Sequence, residues 1–213
     1  MLLDSTRAKF TNKESWYGSC YGLGVDYSTL ENRQSLLVVL RAVWDMPGVY
    51  GPFVGPYTTP DSVLDAESLP ISLSSEEATT LYGVLDVDKN VQVGFQLIVS
   101  EERWLSICVP IGMLESEYSI DYPITLDNDS WGQQLRGRFV AIAERSYGAM
   151  PFRLAVIAEE AITGTPSEEE LTDGDLSQTR YLISSEIFQR LNPSSQWHVL
   201  PTGLRLRADY FGL

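Results

Sequence analysis

Histidine and cysteine are scarce in this chain of 213 residues, which has one histidine, His198, and two cysteines, Cys20 and Cys108. A single histidine excludes metal sites built from several imidazoles, and it leaves one candidate base for a Ser–His or Cys–His catalytic pair. Two cysteines are too few for the disulfide framework of small secreted domains. The sequence therefore predicts no metal site and no cofactor site.

Long apolar runs are also missing. The longest strongly apolar stretch covers residues 36–40, whereas a helix needs about 20 apolar residues to cross a bilayer. Residues 1–7 lack the apolar core of a secretory signal. Together with the low cysteine content, these absences predict a soluble cytoplasmic protein with reduced thiols.

Basic residues are outnumbered, because 15 lysines and arginines face 29 aspartates and glutamates, which gives a net charge of -14. Residues 61–130 contain two basic and fourteen acidic residues, so this segment carries most of the excess. Such a charge repels nucleic acid and anionic membranes and favours a basic protein as partner. An acidic surface also keeps a protein soluble, so the charge alone leaves both interpretations open.

The hydrophobic pattern predicts one α+β domain over residues 1–213, with a largely antiparallel or mixed β-sheet and two to three helices packed on one face. Residues 16–27 alternate between large apolar side chains and glycine or cysteine, which is typical of a strand. The short turns within 79–110 predict a three-stranded antiparallel meander. Further predicted strands cover 152–158, 181–183 and 204–208, and predicted helices cover 29–45, 131–147 and 185–191.

Two segments are predicted as loops. The first, 46–60, contains four prolines and three glycines, and its aromatic residues indicate an ordered loop rather than a flexible linker. Those aromatic residues, Tyr50, Phe53 and Tyr57, either cover the core or form a binding surface. The second segment, 163–178, has five acidic residues and no basic residue, which predicts a solvated and mobile loop.

A short stretch around the first cysteine carries the clearest chemical motif. Gly18-Ser19-Cys20-Tyr21 resembles the sequence around the nucleophile of papain-like cysteine proteases, and His198 follows far downstream, in the order that this family uses. The resemblance implies that the imidazole lowers the pKa of the Cys20 thiol and creates a thiolate. The match covers four residues, and Cys20 is predicted within a strand, whereas the family places its cysteine at the start of a helix. A cysteine within a strand is typical of a small buried hydrophobe, and Cys108 is predicted to be a buried and inert thiol.

These observations lead to two functional hypotheses of different class. The leading one is a non-catalytic binding or protein-interaction domain whose acidic surface meets a basic partner, as inhibitor or immunity-type proteins do by functional analogy. The alternative is a thiol-dependent hydrolase that uses Cys20 and His198. The sequence thus favours a protein without enzymatic activity. Its apolar faces are also compatible with a homodimer, for which two-fold symmetry is the expected arrangement.

Overall fold

An antiparallel sheet forms the centre of the protein. The structure is a computed structural model, and it describes residues 2–27, 33–53, 55–57, 60, 63–65, 78–100, 104–120, 130–161, 170–178, 180–194 and 196–207. Within these residues the sheet has nine strands: β1 (Cys20–Asp26), β2 (Val49–Phe53), β3 (Thr79–Asp86), β4 (Gln92–Val99), β5 (Trp104–Pro110), β6 (Leu154–Glu159), β7 (Arg180–Ile183), β8 (Trp197–Val199) and β9 (Arg205–Arg207). Their order across the sheet is β2-β3-β4-β5-β1-β6-β7-β9-β8, and all neighbours are antiparallel.

The helices pack against this sheet on both faces. The same residues contain six α-helices: α1 (Asp4–Thr11), α2 (Arg33–Trp44), α3 (Ile111–Glu115), α4 (Ser130–Ala149), α5 (Asp173–Gln178) and α6 (Ser185–Leu191). A 3-10 helix (Lys13–Trp16) follows α1. None of these helices is long and apolar enough to span a bilayer.

Strand β1 lies near the middle of the sheet, between β5 and β6. Its alternating sequence has the predicted effect, because Tyr21, Leu23 and Val25 are buried in the main core on one face. The opposite face of β1 presents Gly22 and Gly24. A Cβ atom on Gly22 would overlap the carbonyl oxygen of Ile107 on β5, so this close approach requires glycine.

Helices α2 and α4 cover the first of these faces and pack against each other. The Trp44 ring of α2 stacks on Phe95 of β4, with the ring centroids 5.4 Å apart. The Phe139 ring of α4 lies 6.0 Å from that of Tyr21. A Cβ atom on Gly83 would lie 2.7 Å from Trp44, so the glycine makes room for the indole on the sheet.

The opposite face carries two separate groups of helices. The six helices of the described residues, packed on both faces, correct the prediction of two to three helices on one face. Val84, next to Gly83 on β3, points away from α2 and is buried with Phe10 of α1. At the other end of the sheet, Val156 of β6 is buried with Leu176 of α5 and Ile187 of α6. Sequence periodicity did not indicate α1 or α5, because each is short and weakly apolar.

The structure confirms several predicted elements and corrects part of each predicted loop. The meander is present as β3, β4 and β5, and α6 covers the predicted range 185–191. The segment 46–60 contains the edge strand β2 despite Pro52, since an edge strand tolerates a missing N–H donor. In the segment 163–178, α5 occupies Asp173–Gln178, while residues 163–169 lie outside the described residues.

Candidate functional site

The two cysteines are neighbours on adjacent strands. The register pairs Cys20 with Pro110 and Gly22 with Cys108, so Cys20 and Cys108 are diagonal neighbours across β1 and β5. Both side chains lie on the face of β1 that presents Gly22, and each thiol shifts the pKa of the other. Each thiol is free and partly exposed. This pair is referred to below as the cross-strand dithiol.

The contact between the thiols makes them unequal. The Cys108 thiol lowers the pKa of Cys20 by favouring its thiolate, whereas burial and the Glu160 carboxylate act in the opposite direction. The same contact, together with burial, raises the pKa of the Cys108 thiol. Cys20 is therefore the thiol that ionises first. Cys108, predicted to be buried and inert, is partly exposed instead.

Polar groups at the end of β6 border Cys20. The Glu160 N–H donates to the Cys20 carbonyl oxygen over 2.7 Å, and Glu160 has φ +48°, a left-handed conformation that is strained for a residue other than glycine. The Ser19 hydroxyl donates to the Glu159 carboxylate. Next to the other thiol, the buried Ser106 hydroxyl lowers the pKa of Cys108. Glu160 thus borders the dithiol at one end, whereas Glu159 pairs with Tyr21 and lies on the opposite face of the sheet.

His198 lies far from Cys20, so the structure does not bring the predicted catalytic pair together. His198 is on the edge strand β8, four strand spacings from β1, which corresponds to about 19 Å. The register places His198 in one row with Leu206, Leu182, Ala155 and Val25. Direct cross-strand partners share a face, and Val25 points away from the face of Cys20.

This separation corrects the Cys–His interpretation. A general base must lie within hydrogen-bond reach of the thiol that it activates. His198 lies on the edge strand β8 and on the face opposite to Cys20, which belongs to a central strand. Cys20 is also the first residue of a strand, whereas the resemblance to papain-like proteases implies a helix N-terminus. The thiol pKa is lowered by Cys108 and not by an imidazole.

The three aromatic residues of the segment 46–60 have different environments. Phe53 is buried against Phe10, with the ring centroids 5.5 Å apart, so it covers the core. Tyr50 is half-buried, and its hydroxyl donates to the Asp86 carboxylate over 3.1 Å. Tyr57 is 46% exposed, and the Lys13 ammonium lies 5.5 Å from its ring centroid. Of these three residues, Tyr57 is therefore the one most exposed at the surface.

An open groove of about 930 Å³ lies on the outer side of α2 and α4. Its floor is made of small residues, Ala42 from α2 and Ala141, Gly148 and Ala149 from α4. The rim carries both signs of charge, and the turn between β8 and β9 closes one side. The charged and turn residues that line it are Arg41, Asp45, Glu144, Arg145, Pro201 and Thr202. This helix-pair groove has the size of a ligand or peptide site.

The acidic segment 61–130 is described only in part. Nine of its fourteen acidic residues lie outside the described residues. The other five all have partners within the chain, such as the Lys9 ammonium beside Glu117 and the Tyr17 hydroxyl that donates to Glu115. The remaining three are Asp65, Asp86 and Asp88. Their charges add to the long-range field, although each also has a local structural role.

Within the described ranges, no three histidine, cysteine, aspartate or glutamate side chains gather into a possible metal site. Comparisons with protein-family models, with curated proteins and with solved structures find no match to this chain. The dithiol and the groove are therefore the two features of the structure from which a function can be inferred.

Sequence reasoning missed both of these features. Cys20 and Cys108 were each predicted within a strand, but nothing in the sequence showed that β1 pairs with β5, more than 80 residues away along the chain. The groove had a weak signal, since Val38, Ala42 and Asp45 of α2 recur at helical spacing on the side away from the core. Small residues on the outer side of one helix indicate a groove only when the helix that packs beside it is known.

Proposed function

We propose that this chain is a non-catalytic protein-binding domain, inhibitor-like or immunity-like toward a basic protein, that acts in the cytoplasm. The observation that carries the proposal is the helix-pair groove, an open concavity of about 930 Å³ with a floor of small side chains. The net charge of -14 supports a basic partner.

The shape of the groove favours a helical segment of the partner. Ala42, Ala141 and Gly148 leave room above the junction of α2 and α4, and Val38 on the rim is 37% exposed. An amphipathic helix buries its apolar stripe in such a groove. The Thr202 hydroxyl donates to Glu144 over 3.2 Å and fixes this carboxylate on one rim, where a lysine of the partner helix would meet it.

The charge of the whole chain has a separate role. The groove rim alone is balanced, with two arginines and two carboxylates, so it does not select a basic partner by itself. The excess of negative charge elsewhere steers a basic partner toward the chain and raises its association rate. Affinity then depends on both the groove and the ionic strength.

The experiment uses a fluorescein-labelled Leu/Lys amphipathic helix as the probe and measures its binding by fluorescence anisotropy. In the variant Ala141→Trp the indole fills the floor of the groove, and we expect the affinity to fall at least about tenfold. Gln133→Trp is the matched control, because Gln133 is exposed on the same helix and lies about 12 Å along its axis from Ala141. Its affinity should stay within about twofold of the unmodified chain.

A scrambled peptide of the same composition separates shape from charge, because it keeps every lysine but cannot form an apolar stripe. We expect it to bind at least about tenfold more weakly than the helix. Equal affinity of both peptides, or equal loss in both tryptophan variants, would overturn the groove as the docking site. Circular dichroism of the two variants confirms that each is folded.

The thiol-dependent hydrolase is not proposed, because Cys20 and His198 lie four strand spacings apart. A homodimer stays a prediction, and light scattering tests it. Both edges of the sheet limit pairing between copies, since β2 contains Pro52 and β8 has three residues. A dimer would therefore have to use another surface.

A further inference from the structure

The position of the cross-strand dithiol gives it chemistry that the binding function does not use. Cys20 and Cys108 are diagonal neighbours on the same face of the sheet, and both thiols are free and partly exposed. We propose that Cys20 and Cys108 form a redox-active modification site, in which Cys20 attacks a small neutral peroxide and Cys108 then closes an intramolecular disulfide.

The assignment of the two roles follows from the contact between the thiols. The Cys108 thiol lowers the pKa of Cys20 and so favours its thiolate, which is the reactive form of cysteine. Cys108 keeps its proton more firmly and stays beside Cys20. A thiolate with partial exposure and an adjacent second thiol is the arrangement of redox-sensitive cysteines.

The charge next to Cys20 favours an uncharged oxidant over an anionic one. The Glu160 carboxylate lies close enough to raise the pKa of Cys20. Its negative charge repels an anionic disulfide such as oxidised glutathione. Hydrogen peroxide is small and uncharged, so it reaches a partly exposed thiolate between strands without this repulsion.

The reaction balances in two steps. The Cys20 thiolate attacks one peroxide oxygen, the O–O bond breaks, and the departing hydroxide takes a proton to form water, which leaves a sulfenic acid on Cys20. The Cys108 sulfur then attacks the Cys20 sulfur, the S–O bond breaks, and the departing hydroxide takes the Cys108 proton to form a second water. Two thiols are oxidised to one disulfide, and one peroxide is reduced to two waters.

The disulfide would link the two strands at the middle of the sheet. Diagonal neighbours in a ladder have Cα atoms about 7–8 Å apart, and a disulfide requires them within about 7 Å. Oxidation must therefore draw the first residues of β1 toward β5. Because Cys20 is the first residue of β1, this movement takes place at the end of the strand and leaves Gly22 in position.

The test treats the reduced native protein with hydrogen peroxide and follows the intact mass with dimedone present as a trap for sulfenic acid. We expect the unmodified chain to lose two hydrogens with little dimedone adduct, because Cys108 reacts first. The variant Cys108→Ser should give a dimedone adduct on Cys20, and Cys20→Ser should react at least about tenfold more slowly than Cys108→Ser.

Three results would overturn the proposal: a stable dimedone adduct on the unmodified chain, equal rates in the two single variants, or no reaction of native Cys20 under conditions that oxidise the urea-unfolded chain. The disulfide should also be reversed by dithiothreitol, whereas an irreversible gain of oxygen would contradict a dithiol. A circular dichroism spectrum of each serine variant confirms that it is folded, so slow reaction cannot be attributed to misfolding.

Discussion

Gly22 is the residue at which the central strand approaches its neighbour most closely. A Cβ atom there would overlap the backbone oxygen of Ile107, and it would lie 3.2 Å from the Cα atom of Cys108. Backbone atoms in the middle of a sheet cannot move aside as a flexible side chain can. The glycine is therefore required by the packing of β1 against β5.

We expect the substitution Gly22→Ala to lower the free energy of unfolding by about 2–3 kcal/mol, because the added methyl group forces the strands apart. Gly137→Ala is the control, since Gly137 is an exposed residue of α4 with no atom near its added Cβ. Alanine there should stabilise the helix by about 0.5–1 kcal/mol. Urea unfolding measures both changes, and an equal effect of the two substitutions would contradict the close approach.

At this scale the sequence was informative about residues and uninformative about their neighbours. The alternation of residues 16–27 correctly placed Tyr21, Leu23 and Val25 in the core. It also put Cys20 on the glycine face, but the partner of Cys20 is Cys108 and not His198. A period of two shows which face a side chain takes, whereas the pairing of distant strands depends on the whole fold.

Helix α1 is an element that the hydrophobic pattern did not predict, and its position depends on one aromatic residue. Phe10 is fully buried, with its ring centroid 5.1 Å from that of Trp16 and 5.5 Å from that of Phe53. The Trp16 indole N–H also donates to the Phe10 carbonyl oxygen over 2.9 Å. These contacts attach the N-terminal segment to β2 and β3.

The substitution Phe10→Ala should therefore lower the free energy of unfolding by about 3–5 kcal/mol, through lost burial and the cavity that remains. Leu3→Ala is the matched control, because Leu3 is 36% exposed and precedes the same helix. Its cost should stay within about 1 kcal/mol. If chemical denaturation shows the same loss for both variants, α1 does not pack on the sheet as described.

The elements that were predicted well are those with a strong local pattern. The meander has alternating strands and short turns, and in one turn the Asp88 carboxylate accepts the Asn90 N–H over 2.7 Å. The elements that the pattern did not predict, such as β2 and α1, are short and depend on contacts with distant parts of the chain. Strand β2 forms because β3 offers it a partner, although its proline argued for a loop.

Helix α5 begins with a sequence motif that is typical of a helix N-terminus. The Thr172 N–H and hydroxyl both donate to Asp175, over 2.8 Å and 2.6 Å, and these bonds lower the pKa of the Asp175 carboxyl. In return the Asp175 N–H donates to the Thr172 hydroxyl over 3.3 Å, so the two residues form a capping box at the start of α5. The acidic composition of 163–178 favours a loop, whereas this motif favours a helix.

At the scale of the whole molecule, the two candidate features lie on opposite faces of the sheet. The helix-pair groove is on the outer side of α2 and α4, which cover the face of Tyr21 and Leu23. The cross-strand dithiol is on the face of Gly22. Because the sheet separates them, docking in the groove leaves the thiols accessible, and each proposal can fail without the other.

The sequence predicted an α+β fold with a largely antiparallel or mixed sheet, and the structure has an antiparallel sheet of nine strands within the described residues. It did not predict helices on both faces, because the positions of helices follow from the order of strands, and β1 inserts between β5 and β6. The net charge follows directly from the composition. The groove, in contrast, exists only once α2 and α4 pack together.

The central claim is that the chain binds a basic protein segment, and the most direct test compares two amphipathic helices of equal shape and opposite charge. We would measure the affinity of the Leu/Lys helix and of a Leu/Glu helix from about 50 mM to 500 mM salt, where screening becomes strong. The account predicts that the Leu/Lys helix binds at least about tenfold more tightly at low salt and loses most of this advantage at high salt. Equal affinity for both helices, or an affinity for the Leu/Lys helix that does not change with salt, would contradict it.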